Sequence, residues 1–189
     1  MNQVGFYFDQ TRCIGCYTCS VSCKDWNDIP AGPINWRKIV IIEKGTFPKL
    51  SSSYLSLACN HCENPPCVKV CPASAIIKRK DNGVVVVDSM RCIGYDQCGA
   101  KCLKVCPWEI PQFGIQKNSK MTKCNLCIER LEEKKDPICV ESCPMYALDF
   151  GPIKELKEKY GTINEAEGFK HYKQFRPSIV FKPKFIECL

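Results

Sequence analysis

No stretch of this chain approaches the ~18–20 consecutive apolar residues that a membrane-spanning helix needs, which excludes a transmembrane span. The opening residues, MNQVGFYFDQTR, lack a basic region followed by an apolar run and a small-residue cleavage site. No signal peptide is therefore expected. The chain is expected in the cytoplasm, or in the periplasm if a signal-bearing partner carries it out. No nucleophile–base pair and no phosphate-binding glycine loop is present, so the chain is not expected to be an enzyme by itself. Histidine is scarce, with only His61 and His171. His171 has no metal-like neighbours and is expected at the surface. His61 is expected at the surface or supporting metal ligands from behind. Disorder is excluded because 45% of the residues are hydrophobic and apolar strand-like runs recur.

What the chain has is cysteine, 17 in 189 residues. Disulfides belong to secreted chains and are not expected here. Spacing decides between the metals. Cys13, Cys16, Cys19 and Cys23 form C-x2-C-x2-C-x3-C. Cys59, Cys62, Cys67 and Cys71 form C-x2-C-x4-C-x3-C, followed by Pro72. Cys92, Cys98, Cys102 and Cys106 form C-x5-C-x3-C-x3-C, followed by Pro107. Cys124, Cys127, Cys139 and Cys143 form C-x2-C-x11-C-x3-C, followed by Pro144. Zinc sites join two C-x2-C knuckles, or a knuckle and a histidine pair, and need no final x3-C-P. Bacterial ferredoxins use that ending: three thiolates hold one iron–sulfur cluster and the fourth serves a neighbour. A ligand at i+4 leaves a helical turn on the same face as the third cysteine. Gly15 is small enough to let backbone amides approach a cluster. Cys188 is the odd thiol, expected free in the tail.

The polypeptide counts +7, from 27 Lys and Arg against 20 Asp and Glu. Four cubanes, each ligated by four thiolates, add about −8, so the loaded protein is near neutral. The basic excess then reads as compensation for buried anionic clusters rather than as a nucleic-acid footprint. Lys78-Arg79-Lys80 and Lys134-Lys135 read as solvated surface. Trp26, Trp36 and Trp108 read as packing that shields clusters from water.

The motifs form an internal repeat. Between them the expected elements are short: strands at Val4–Phe8 and Lys38–Ile42, and a hairpin of Ile76–Lys80 with Val84–Val87 around Asp81-Asn82-Gly83. A second hairpin is expected from Gly114–Gln116 and Met121–Thr122. Helical character falls at Ile128–Lys135 and Ile153–Tyr160, the latter ended by Gly161. Ile29–Pro33 reads as a loop and Arg176–Pro183 as extended chain. So little apolar core implies that metal binding carries much of the folding free energy.

Several segments carry a family resemblance: Gly5-Phe6-Tyr7-Phe8-Asp9, CIGCYTCSVSCKD, Ile34-Asn35-Trp36-Arg37-Lys38, CNHCENPPCVKVCP, NGVVVVD, the run from Met121 to Ile153, and Pro177–Pro183. The chain resembles the four-cluster iron–sulfur subunits of molybdenum and tungsten bis-pterin oxidoreductases of anaerobic metabolism. It is most similar to the dimethyl sulfoxide reductase electron-transfer subunits, and tungsten aldehyde oxidoreductases have similar subunits. The resemblance implies an α+β fold with much irregular structure, made of two interleaved ferredoxin-like dicluster domains. Residues 1–58 and 119–155 would form the unit of motifs one and four, and 59–118 the unit of motifs two and three. Residues 156–189 would add a helix and an extended tail.

The resemblance also implies the ligand pairing. Cys13, Cys16 and Cys19 go with Cys143, and Cys124, Cys127 and Cys139 with Cys23. Cys59, Cys62 and Cys67 go with Cys106, and Cys92, Cys98 and Cys102 with Cys71. Four 4Fe-4S clusters result, in a line. The implied partners are a large pterin-bearing catalytic subunit and a further redox or membrane-anchor subunit, with no nucleic acid. The third motif departs from the family pattern: Tyr95 stands where a cysteine is usual, and the motif is four residues longer. A three-iron cluster is the alternative there. The alternatives in function are a free-standing polyferredoxin and, in a different class, a zinc-rich interaction or nucleic-acid-binding module.

Overall fold

The computed structural model describes residues 2–184; Cys188 lies outside them. Strand β1 (Val4–Asp9) leads into helix α1 (Thr18–Trp26), followed by strands β2 (Lys38–Lys44) and β3 (Ser51–Leu57). Helix α2 (Pro66–Val70) precedes the pair β4 (Ile76–Lys78) and β5 (Val85–Val87). Two short helices, α3 (Tyr95–Cys98) and α4 (Lys101–Val105), precede the pair β6 (Gln112–Phe113) and β7 (Met121–Thr122). Then come α5 (Ile128–Glu132), α6 (Ile138–Glu141), β8 (Leu148–Pro152), α7 (Ile153–Tyr160) and β9 (Ile179–Lys182).

The aromatic run of β1 favours a pleated, buried strand, and both its faces are used. β1 is the middle of a three-stranded sheet, antiparallel to β8 (Phe6 opposite Phe150) and parallel to β9 (Phe6 opposite Ile179). Phe6 and Phe8 point into the main core with Leu55, Leu126, Phe169 and Phe181. On the other face Tyr7 stacks on Tyr160 at 3.7 Å and meets Ile153, Leu156 and Val180 of α7 and β9. Gly5 is required by this crossing, because a Cβ there would overlap the Ser178 carbonyl. The turn after β1 is tied by Asp9, whose carboxylate accepts hydrogen bonds from the backbone N–H (2.9 Å) and hydroxyl (2.5 Å) of Thr11.

Around this sheet the elements are small. β2 and β3 pair over seven residues, Lys38 opposite Leu57 through Lys44 opposite Ser51. β4 and β5 form the expected hairpin, shortened to three pairs. The second hairpin differs from expectation. β6 is Gln112–Phe113, because Phe113 pairs with Met121 and its ring packs with Met121 and Ile76; Gly114–Gln116 lies in the connecting loop. α1 packs on α6, and α2 on α4. Among the described residues no helix is long and apolar enough to cross a membrane.

Candidate metal centres

One local design recurs in all four motifs. The third cysteine is the second residue of a helix: Cys19 in α1, Cys67 in α2, Cys102 in α4 and Cys139 in α6. The fourth comes four residues later: inside α1 for Cys23, in the extended residue that ends α2 and α4 for Cys71 and Cys106, and two residues past α6 for Cys143. In the third motif this places Cys102 and Cys106 in the third and fourth positions and gives Cys98, on the short α3, the place nearest to that of the missing cysteine. The four extra residues accommodate one added turn.

The turn beyond the fourth cysteine also recurs. After Cys71, Cys106 and Cys143 comes proline, and the third residue on takes a left-handed backbone: Ser74 (φ 48°), Glu109 (φ 51°) and Tyr146 (φ 49°). Non-glycine residues seldom adopt that conformation, and it clusters at functional sites. Here it swings the next backbone N–H back onto the sulfur. Ala75 donates to Cys71 Sγ at 3.3 Å and Ala147 to Cys143 Sγ at 3.3 Å, and Ile110 N–H does the same for Cys106. Cys23 has no proline after it and α1 continues. There the side-chain amide of Asn27, again four residues on, lies 3.7 Å from Cys23 Sγ and donates to the Cys23 carbonyl at 2.8 Å.

The thiols converge in fours. Cys13, Cys16, Cys19 and Cys143 line a small cavity walled by Phe8, Ile39 and Leu148. Cys59, Cys62, Cys67 and Cys106 line another beside Val85, Trp108 and Ile110. Cys71, Cys92, Cys98 and Cys102 line a third beside Ile76, Val87 and Met121. Cys23, Cys124, Cys127 and Cys139 are one another's electrostatic neighbours in the interior. All sixteen are free thiols.

Seven of the sixteen are buried and eight half-buried, and burial raises the cost of the thiolate. It pushes Cys23 up to about 12, helped by Cys139 and Cys127. Cys67 also rises to about 12, through burial and then Cys59, and Cys102 to about 11, through burial and then Cys98. Cys16 is exposed and moves the other way, lowered by its hydrogen bond with the Thr18 hydroxyl at 3.3 Å.

This donor set fits iron–sulfur clusters. Four soft sulfurs line each of three apolar cavities, and backbone amides are aimed at the sulfurs of Cys71, Cys106 and Cys143. Structural zinc is instead closed by four ligands around a single ion at ~2.3 Å. Gly15 sits at φ 69°, where a Cβ would strike the Tyr54 ring. Contact with Tyr54 thus requires glycine here, and the Gly15 backbone N–H donates to the Cys13 sulfur. Gly15→Ala is expected to cost about 1–3 kcal/mol, from the strained backbone plus the clash. The check is thermal unfolding of the loaded protein under argon; an unchanged midpoint would refute it.

Several polar residues have roles that sequence reading missed. His61 is fully buried; Nδ1 accepts the Val85 N–H at 2.9 Å. Burial, then Lys123 and Lys78, drive its pKa well down, so it is neutral and its surface alternative is corrected. Lys78 is not solvated surface. Its ammonium turns inward to the Cys62 carbonyl (2.8 Å) and Gln3 Oε1 (2.6 Å). Lys123 is buried, donating to the carbonyls of Val85 and Cys124. Trp26 is 43% exposed, lies under Arg130 at 4.6 Å and donates to Glu129. Trp108 does pack, stacked on Phe169 at 5.2 Å.

Comparison with known proteins gives the family of the chain. The profile of the 4Fe-4S dicluster domain family matches residues 50–153. The chain is 43% identical over 189 residues to the B subunit of the anaerobic dimethyl sulfoxide reductase of Escherichia coli, covering 96% of this chain and 89% of that subunit. It is 40% identical over 192 residues to the corresponding B subunit of Haemophilus influenzae, covering 97% and 90%. To the thiosulfate reductase electron transfer subunit PhsB of Salmonella typhi it is 40% identical over 156 residues, covering 82% and 78%.

Proposed function

This chain belongs to the 4Fe-4S dicluster family of oxidoreductase iron–sulfur subunits, and from that premise we propose how it works. It is a non-catalytic electron-transfer subunit with four 4Fe-4S clusters, and it serves the catalytic subunit of a molybdoenzyme complex. The clusters supply one-electron redox chemistry. The chain's residues hold the thiolate ligands, exclude water and set the local field.

The observation that carries the ligand assignment is the convergence of four thiols from two motifs on each of three cavities. We assign Cys13, Cys16, Cys19 and Cys143 to one cluster, and Cys23, Cys124, Cys127 and Cys139 to the second. Cys59, Cys62, Cys67 and Cys106 hold the third, and Cys71, Cys92, Cys98 and Cys102 the fourth. With four thiols around the last cavity, the altered third motif still has ligands for a complete cubane.

Two interleaved ferredoxin-like units result from this pairing. The β1–β8 pairing, the packing of α1 on α6 and that of α2 on α4 support it. The boundary at 118/119 falls in the loop of the β6–β7 hairpin, which stitches the two units together. The catalytic partner is proposed to carry a molybdenum or tungsten pterin, and a separate membrane-anchor or redox subunit to complete the complex.

Anaerobically purified protein is expected to be brown and to contain about 16 iron atoms per chain. Co-purification with a large pterin-containing subunit tests the partnership. A stable chain that never associates with one would make it a free polyferredoxin. Substantial zinc with little iron would overturn the reading.

A further inference from the structure

Among the buried cations, Arg37 is unusual in what it leaves unused. It is 2% exposed and sits at the start of β2, its carbonyl held by the Ser20 hydroxyl at 2.7 Å. Its guanidinium carbon lies 4.6 Å over the Phe6 ring. Nη1 donates to Ser56 Oγ at 2.9 Å. Ser56 Oγ is 3.5 Å from Cys19 Sγ. A hydroxyl that accepts from Arg37 has its own proton free for the sulfur. Nε and Nη2 are buried with no hydrogen-bond partner in the described residues. Lys123, by contrast, donates to two carbonyls.

A buried charge with two orphaned donors is costly unless something nearby takes them. Among the described residues no carboxylate pairs with Arg37. Burial alone disfavours its charge, and the sulfurs of Cys139, Cys19, Cys124 and Cys23 outweigh that. Those four belong to two of the cluster sites assigned above, on which this inference rests.

We propose that Arg37 is a positioning residue for electron transfer, a fixed positive charge shared by two adjacent cluster sites. It acts on the motif-one site through Ser56 and on the Cys23–Cys124–Cys139 site through its buried charge. When one electron enters either site, no bond forms or breaks and Arg37 keeps its proton. A nearby cation therefore favours the form carrying the extra electron, and hydrogen bonds to sulfur act in the same direction. Its effect is to raise both reduction potentials together, keeping the two sites matched for hopping.

The test is potentiometric titration of the loaded complex, followed by electron paramagnetic resonance. Cys23→Ser identifies the signal of its site. Arg37→Met, which keeps length and removes charge, is expected to lower the reduction equilibrium constant of the two sites about tenfold each, ~59 mV for a one-electron couple. The other two sites stay put. Arg37→Lys restores most of the loss. Ser56→Ala moves the motif-one site alone. If Arg37→Met loses iron while Arg37→Lys keeps it, the requirement for charge is upheld. Full iron with unmoved potentials in Arg37→Met, an equal shift at all four sites, or loss of iron from Arg37→Lys as well would overturn the proposal. Failure of the functional reading is seen separately, as wild-type protein without four clusters.

Discussion

Chelating the iron from anaerobically purified protein is expected to unfold it rather than leave an empty scaffold. The apolar core is concentrated on the β8–β1–β9 sheet and the face of β3. The segment of motifs two and three adds Val84, Ile110 and Trp108 to that core and otherwise has a small cluster of Ile76, Val85 and Met121 around Cys102. Its hairpins contain three and two residue pairs. Two-stranded hairpins of that size are unstable in water. Binding of a structural metal is itself folding free energy, and a whole domain's net stability is only about 5–15 kcal/mol. Packing this thin is not expected to hold the chain once four clusters are gone. Near-ultraviolet circular dichroism should collapse, with hydrogen exchange accelerating first across residues 59–118. A sharp, cooperative melt of iron-free protein would contradict this.

Cys23→Ser is expected to damage the site of the fourth motif and spare the site next to it in sequence. Cys23 leaves α1 one turn beyond Cys19, toward Cys124, Cys127 and Cys139. Ser22 and Ser142 hydrogen-bond at 2.7 Å, so motifs one and four are already joined there. Serine preserves size but offers a harder, poorer ligand. Iron should fall from about 16 to about 12 per chain if that site empties, or its potential should shift if it stays loaded. The signal assigned to Cys13, Cys16, Cys19 and Cys143 should persist. Loss of that signal instead would overturn the pairing and leave the multi-cluster electron carrier standing.

The sulfur chemistry was legible because its spacing is set by covalent reach. Three cysteines in a short loop and a fourth at i+4 leave few other uses. β1, β2 and the β4–β5 hairpin were legible from aromatic and β-branched runs around turn residues. β3 was not: its sequence, SSSYLSL, is half serine, and its strand character comes from pairing with β2 while Leu55 and Leu57 enter the core. β6 was displaced by two residues because its partner, not local propensity, chose the register. The left-handed turns at Ser74, Glu109 and Tyr146 gave no signal, since none uses glycine or asparagine. Arg37, Lys78 and Lys123 were illegible for another reason. A cation in sequence reads as solvated, and only the anionic interior of a cluster protein makes burial worth its cost.

β1 is flanked by strands that come about 140 and 170 residues later in the sequence. A ribosome adding residues at ~5–20 per second needs roughly 7 to 30 s to reach β8 after finishing β1. During that interval β1 has neither neighbour, and the first four thiols have no motif-four helix to pack against. Assembly of this half therefore waits until motif four and β9 have been made, after motifs two and three, and the first four thiols are most open to oxidation in that interval. Slow synthesis under air should harm motifs one and four more than motifs two and three, whose helices α2 and α4 can meet while the ribosome is still working.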